Sequence, residues 1–142
     1  MQISKKADYA IRAVTILATL GPERTLQAQE LASMGQIPTK FLEQILLVLK
    51  RSGILRSKRG VGGGYRLGKE SRLISVGDVI EAVDGELVQL HDPTEFPSFA
   101  GASGIAKCLG DAEDAVNDRL RKTTIEEVVE HGEGDSMVGY GI

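Results

Sequence analysis

The chain has 142 residues, 42% of them hydrophobic and 26% charged, with three Phe, three Tyr and no Trp. That length carries one aliphatic core with an appended element, while the single cysteine excludes an intrachain disulfide and no stretch approaches the run of about 18 apolar residues that a membrane span requires. The net charge of −3 is unevenly divided: residues 1–75 hold thirteen Lys and Arg against five Asp and Glu, and residues 76–142 hold four against fifteen, so a +8 half is joined to a −11 half. A polyanion-binding face on the first half and a separate task for the second follow from that asymmetry.

The N-terminal "MQISKKADYAIRAVTILATLG" has its apolar run broken by Asp8 and Arg12, so it reads as an amphipathic helix and not as a signal peptide. Ala7, Ala10, Ile11, Val14, Leu17 and Ala18 keep helical spacing behind a Ser4 cap, and Gly21-Pro22 ends the helix. A second, short helix fits Gln27 to Met34, with Gly35 as its expected left-handed cap. A third runs from Thr39 to about Ser52, with Leu42, Ile45, Leu46 and Leu49 on one side and Lys40, Glu43, Gln44 and Arg51 on the other. "ILRSKRG" and "YRLG" then flank a glycine cluster as two short strands. This is the order of a winged helix-turn-helix: the fold class expected is mainly α with a small β-hairpin wing, followed by a long dimerisation helix.

Ser75-x-x-Asp78 forms a capping box for a helix that ends at Asp84-Gly85, and Thr124-x-x-Glu127 forms another. Between them, residues 91–104 read as a loop, and Ile105 to Lys122 as a helix on which Ile105, Leu109, Ala112, Val116 and Leu120 make a seam suited to a partner helix. The expected organisation is a DNA-binding domain over 1–90, a loop over 91–104, a dimerisation helix and short closing helix over 105–130, and a flexible tail over 131–142.

"KRGVGGGYRL" invites a nucleotide reading, and Gly63-x4-Gly68-Lys69 copies most of a phosphate-binding loop. Glu70, however, stands where a magnesium-binding Ser or Thr is needed, and no βαβ unit surrounds it. A hairpin explains more: its glycines permit a tight tip, and Arg56, Lys58, Arg59 and Arg66 supply charge, with Arg59 placed to enter a minor groove. On the third helix Glu43 can accept from cytosine N4, and Gln44 can pair with adenine. The bland alternatives are an intrahelical ion pair for Glu43 and a solvated turn for the glycines.

"ISKKADYAIRAV", "IPTKFLEQILLVLKRSGIL", "SKRGVGGGYRLGK" and "ISVGDVIEAVDG" together resemble the Rrf-two family of winged helix-turn-helix transcription regulators (IscR/NsrR/CymR type) over residues 1–90. "AEDAVNDRLRKTTIEEVV" is similar to that family's dimerisation helix and closing segment. The resemblance implies a cytoplasmic, non-enzymatic homodimer on a pseudo-palindromic operator in double-stranded DNA, acting as a repressor. Base reading then falls to Thr39, Lys40, Glu43 and Gln44. Backbone or minor-groove contact falls to Ser4, Lys5, Arg51, Arg56, Lys58, Arg59, Gly62, Gly63 and Tyr65.

Cluster-sensing members carry three cysteines before the long helix, where this chain has only Cys108, so no iron-sulfur cofactor or metal is expected and the resemblance is closer to the cluster-free CymR-like branch. Cys108, beside Leu109, is expected to be a buried packing residue; a redox or effector role shared with His91, or a cluster shared across a dimer, is the alternative. The CymR-like branch represses sulfur and cysteine metabolism genes by binding cysteine synthase (O-acetylserine sulfhydrylase). Gly139, Tyr140, Gly141 and Ile142 are the segment expected to dock there, an isoleucine carboxylate mimicking the amino-acid substrate. Two rivals of other classes are a nucleotide-binding enzyme and a protein-interaction module whose basic face meets an acidic partner.

Overall fold

The computed structural model describes residues 2–92, 94, 95 and 97–135; the Gly139 to Ile142 segment lies outside them. Helix α1 (Lys5–Leu20) starts at Ser4, whose hydroxyl accepts the Ala7 N–H, and buries Ala7, Ala10, Ala13, Val14 and Leu17. Small residues on that stripe let α2 (Ala28–Gly35) and α3 (Thr39–Arg51) pack closely against it. From α3 the core takes Leu42, Ile45, Leu46 and Leu49, the four aliphatic positions expected.

The turn between α2 and α3 departs from expectation. Gln36, not Gly35, takes the left-handed conformation (φ 53°, ψ 51°). Gly35 stays helical, and its lack of a side chain serves packing: a Cβ there would lie 2.8 Å from Ile37 Cδ1 and 3.2 Å from Ile16 Cδ1. Arg12 closes this corner, donating from Nη1 to the carbonyls of Gly35 (3.1 Å) and Gln36 (3.4 Å), where a helix end leaves acceptors unsatisfied. Its other nitrogens hold the Asp8 carboxylate at 2.7 and 3.1 Å.

Strands β1 (Leu55–Lys58) and β2 (Gly64–Leu67) pair antiparallel, with Leu55 opposite Leu67 and Lys58 opposite Gly64. The hairpin is braced from outside. Leu26, just before α2, exchanges both backbone hydrogen bonds with Tyr65 (3.0 and 2.7 Å), and the Thr25 hydroxyl donates to Gly62 O at 2.7 Å. The brace requires Gly64, where a Cβ would lie 2.5 Å from Leu26 O. Gly62 (φ 74°) is needed for the turn itself, and Gly63 for room beside Lys58 O and Gly60 O.

After a 3-10 turn at Ser71–Leu73, α4 (Val76–Asp84) starts from the expected capping box, with Ser75 and Asp78 bonded reciprocally, and ends at Gly85. Helix α5 (Ala102–Lys122) begins three residues earlier than its apolar spacing predicts, because Gly101 (φ 94°) already turns the chain into it. Helix α6 (Ile125–His131) starts at Thr124, whose hydroxyl accepts the Glu127 N–H. This last element is built into the N-terminal core: Ile125 is fully buried, its N–H donates to Ile74 O at 2.8 Å, and Val76 N–H donates to Thr123 O at 2.9 Å. Among the described residues, no helix is long and apolar enough to cross a membrane.

Two substitutions test this packing by urea denaturation. Ile125→Ala removes a side chain from a filled core and is expected to cost about 2–5 kcal/mol, as for a core residue of the N-terminal helices. Gly64→Ala is expected to cost at least about 2 kcal/mol, because backbone must move to admit the methyl group. Gly62→Ala, with only its positive φ to accommodate, is expected to cost about 1 kcal/mol.

Candidate nucleic-acid interface

At about 100° per residue, Lys40, Glu43, Gln44, Leu47 and Arg51 share one side of α3, opposite the buried aliphatic stripe. All five are exposed, as is Thr39. The tertiary structure therefore leaves a polar helix face standing clear of the core, which is what a helix entering a major groove requires. Beside it, Arg56, Lys58, Arg59 and Gly62 are exposed along the hairpin.

The remaining expected contacts are placed differently. Gly63 is buried within the turn, and Tyr65 is half-buried, its ring against the core and its backbone paired with Leu26. Both are positioned to hold the wing. The Ser4 hydroxyl is already committed, accepting from Ala7 and donating to the Asp84 carboxylate, 2.8 Å from either oxygen. Lys5 is exposed in the first turn of α1.

Three residues of this surface escaped sequence reasoning. Lys6 lines a groove with Phe41, Gln44, Ile45, Val48 and Val83, which puts a second α1 lysine next to the polar face of α3. A signal for it existed: cations in a first helical turn oppose the helix dipole, so Lys5 and Lys6 are poorly explained by helix stability. Phe41 and Leu47 are 55% and 45% exposed. Leu47, one turn from Glu43 and one from Arg51, offers an apolar contact of the kind that thymine methyl groups accept.

Ion pairing separates the two halves of the molecule. Among the described residues, only Arg12 and Arg72 of the thirteen N-terminal lysines and arginines form an ion pair, with Asp8 and Glu70. In the C-terminal half Lys107, Arg121 and Lys122 are each paired, with Asp111, Glu81 and Asp118. The Asp111 carboxylate beside Lys107 raises that ammonium's pKa above its ordinary value.

The nucleotide reading of "GGGYRLGK" fails on geometry: residues from Gly64 to Leu67 are a strand paired with β1 on one side and, through Tyr65, with Leu26 on the other, and a 3-10 turn follows in place of a phosphate-facing helix.

In the C-terminal half, His91 Nδ1 lies 3.1 Å from Glu113 Oε2, both side chains largely shielded from water. Nearby, the Asn117 amide clamps Val88, donating to its carbonyl and accepting its N–H at 2.9 and 3.0 Å. Asp92 accepts the Thr94 hydroxyl and N–H at 2.6 and 2.8 Å, and these bonds, the hydroxyl first, hold its carboxyl below the ordinary range.

Cys108 is exposed, which overturns its expected burial. The side of α5 that meets α4 and residues 86–91 runs through Glu113 and Asn117, and Cys108 sits roughly 140° around the helix from Glu113. The fold thus separates Cys108 from His91 instead of joining them. Among the described residues no three His, Cys, Asp or Glu side chains gather in a way that could hold a metal, so the donor set of one chain does not fit a cysteine-ligated cluster.

Ile105 and Ala112 of the expected seam are exposed, and Leu109, Val116 and Leu120 are half-buried. With Cys108 and Ala115, also exposed, Ile105 and Ala112 form a stripe at alternating spacings of three and four along α5.

Known proteins are similar to this chain in sequence and in fold. IscR of Pectobacterium carotovorum, an HTH-type transcriptional regulator, is 33% identical over 138 residues, covering 94% of this chain and 82% of that protein. A Mycobacterium tuberculosis protein described as an HTH-type transcriptional regulator is 39% identical over 92 residues, and there the chain spans 65% of its own length and only 57% of the relative's. Among solved structures, CymR, the global cysteine regulator of B. subtilis, superposes with a TM-score of 0.77 at 27% identity, covering 92% of this chain and 98% of that one. IscR of T. potens gives a TM-score of 0.74 at 26% identity over 99% and 95%. These relatives are transcriptional regulators and not enzymes. The Rrf2 family profile, described as iron-dependent transcriptional regulator, matches residues 3–131, and with the winged helix-turn-helix in place the chain belongs to the Rrf2 family of transcriptional regulators.

Proposed function

We propose that the chain is a homodimeric repressor that binds a pseudo-palindromic operator through α3 and the wing. The observation that carries this reading is the coincidence, on one surface, of the clear polar face of α3 with cations that have no ion-pair partner among the described residues. Unpaired cations repel one another and stabilise nothing in the free protein; a phosphate backbone supplies their partners and releases its counterions. In this reading Lys5, Arg51, Arg56 and Lys58 meet phosphates, Lys40, Glu43 and Gln44 read base edges in the major groove, and Arg59 enters the minor groove.

The second copy docks on the outer stripe of α5. Ile105, Cys108, Ala112 and Ala115 recur at the three-and-four spacing of a helix-pairing seam, and the small residues allow close approach. Two recognition helices then present themselves with the symmetry of a palindrome. Target genes in sulfur, cysteine or iron-sulfur metabolism are the reading that the role of CymR as a global cysteine regulator and the similarity to IscR favour.

Selection of bound duplexes from a random pool tests the whole reading: a palindrome should be recovered, and a pool with no enriched sequence would overturn it. On the recovered duplex, Arg59→Ala is expected to weaken binding about tenfold and lower the salt slope by about one, whereas Glu43→Ala should mainly relax preference at one base pair per half-site. In sedimentation experiments Ile105→Asp is expected to shift the protein toward monomer, with at least about tenfold weaker operator binding as the two half-sites lose their linkage.

A further inference from the structure

The residue least explained by the fold is Val61. It stands at the apex of the wing with a relative accessibility of 103%, so its isopropyl group touches nothing in the protein. The tip that carries it is held firmly: Gly63 N–H donates to Gly60 O at 2.9 Å, Gly62 sits at φ 74°, and Thr25 fixes the Gly62 carbonyl. Turn chemistry does not call for valine, since tips of this kind favour Pro, Gly, Asn, Asp or Ser. Nor does solubility, because a branched apolar group fully in water is the least favoured choice there. Two residues before it stands Arg59, also exposed.

We infer that Val61 is a specificity determinant that excludes G·C pairs from the minor groove under the wing. The inference rests on the reading of α3 and the wing as the DNA interface, and it adds to it a discrimination that no charged residue supplies. The minor groove is about 6 Å wide, and its floor shows only acceptors at A·T pairs, while a G·C pair adds the guanine N2 amino group. Arg59 donates to those acceptors and is drawn most strongly where the groove is narrow and A·T-rich. An isopropyl group pressed onto the same floor accepts no hydrogen bond. Against A·T it strips water only from acceptors, which Arg59 can satisfy, but against G·C it also strips water from the amino group, a donor for which neither Arg59 nor Val61 offers an acceptor. Attraction by Arg59 and exclusion by Val61 then act on the same step, with the rigid glycine turn fixing the depth of entry.

The test uses the full chain and the duplex it recovers from a random pool, resynthesised in the flank of each half-site with A·T, G·C or inosine·C pairs. Inosine keeps the major-groove edge of guanine and lacks the N2 amino group. Wild-type protein is expected to bind the A·T and inosine·C duplexes with similar affinity and the G·C duplex about tenfold more weakly. Val61→Thr has nearly the same shape, leaves the core untouched and places a hydroxyl acceptor at the tip, so it should shrink that preference to less than about threefold. Equal binding of G·C and inosine·C duplexes by the wild type, or an undiminished preference in Val61→Thr, would overturn the assignment while leaving the interface standing. Absence of salt-dependent binding to any duplex would remove the interface and this inference with it.

Discussion

Much of this molecule depends on one missing methyl group. Two elements distant in sequence, residues 25–27 before α2 and residues 62–65 of the hairpin, meet closely enough for Leu26 and Tyr65 to exchange backbone hydrogen bonds, and they do so only because Gly64 presents no Cβ to the Leu26 carbonyl. A two-stranded hairpin is marginal on its own. Tied to the entry of α2, it is held to the same core as α3. The placement of the wing beside α3 is then set by the core and not by the hairpin loop alone.

The C-terminal half is attached to that body at a second close approach. A Cβ on Gly77 would lie 3.1 Å from Arg121 Cα, so α4 and the end of α5 cross at near-contact distance. Immediately beyond, Ile74-Ser75 and Thr123 to Ile125 pair by backbone, and Ile125 enters the core. Helix α5 is consequently clamped at its C-terminal end, and near its middle by Asn117 on Val88 and Glu113 on His91. Helix α4, against which α5 packs, is itself packed on α1 and α3.

What the sequence disclosed and what it hid divide along the range of the interactions involved. The Ser4 cap, the Ser75–Asp78 box, the aliphatic stripe of α3 and the glycine-rich hairpin all depend on residues within a few positions of one another, and each was legible. Gln36 takes the left-handed position expected of Gly35, while Gly35 stays in the helix where Ile16 and Ile37 leave no room for a Cβ, a tertiary contact that local spacing does not disclose. The burial of Cys108 was misjudged because its apolar neighbour Leu109 suggests a core face, and only the docking of α5 on α4 decides which side of the helix faces inward. The polar face of α3 was readable as a face. That Leu47 and Lys6 belong to the same surface was not, since the first breaks the polar pattern and the second comes from another helix.

The segregation of charge, visible in the first count of residues, takes on a sharper meaning in the folded chain. A total of −3 would repel a polyanion if the charges were evenly mixed. Instead the C-terminal half largely satisfies its own cations: Lys107 and Lys122 are paired one helical turn along α5, and Arg121 is paired across to α4. The surplus of carboxylates left there lies on the elements that follow the wing. Screening over about 8–10 Å at physiological ionic strength confines each surface to its own neighbourhood, so the basic face is felt by a ligand that touches it and the acidic half adds little beyond that range. A protein negative overall can in this way carry a productive positive face.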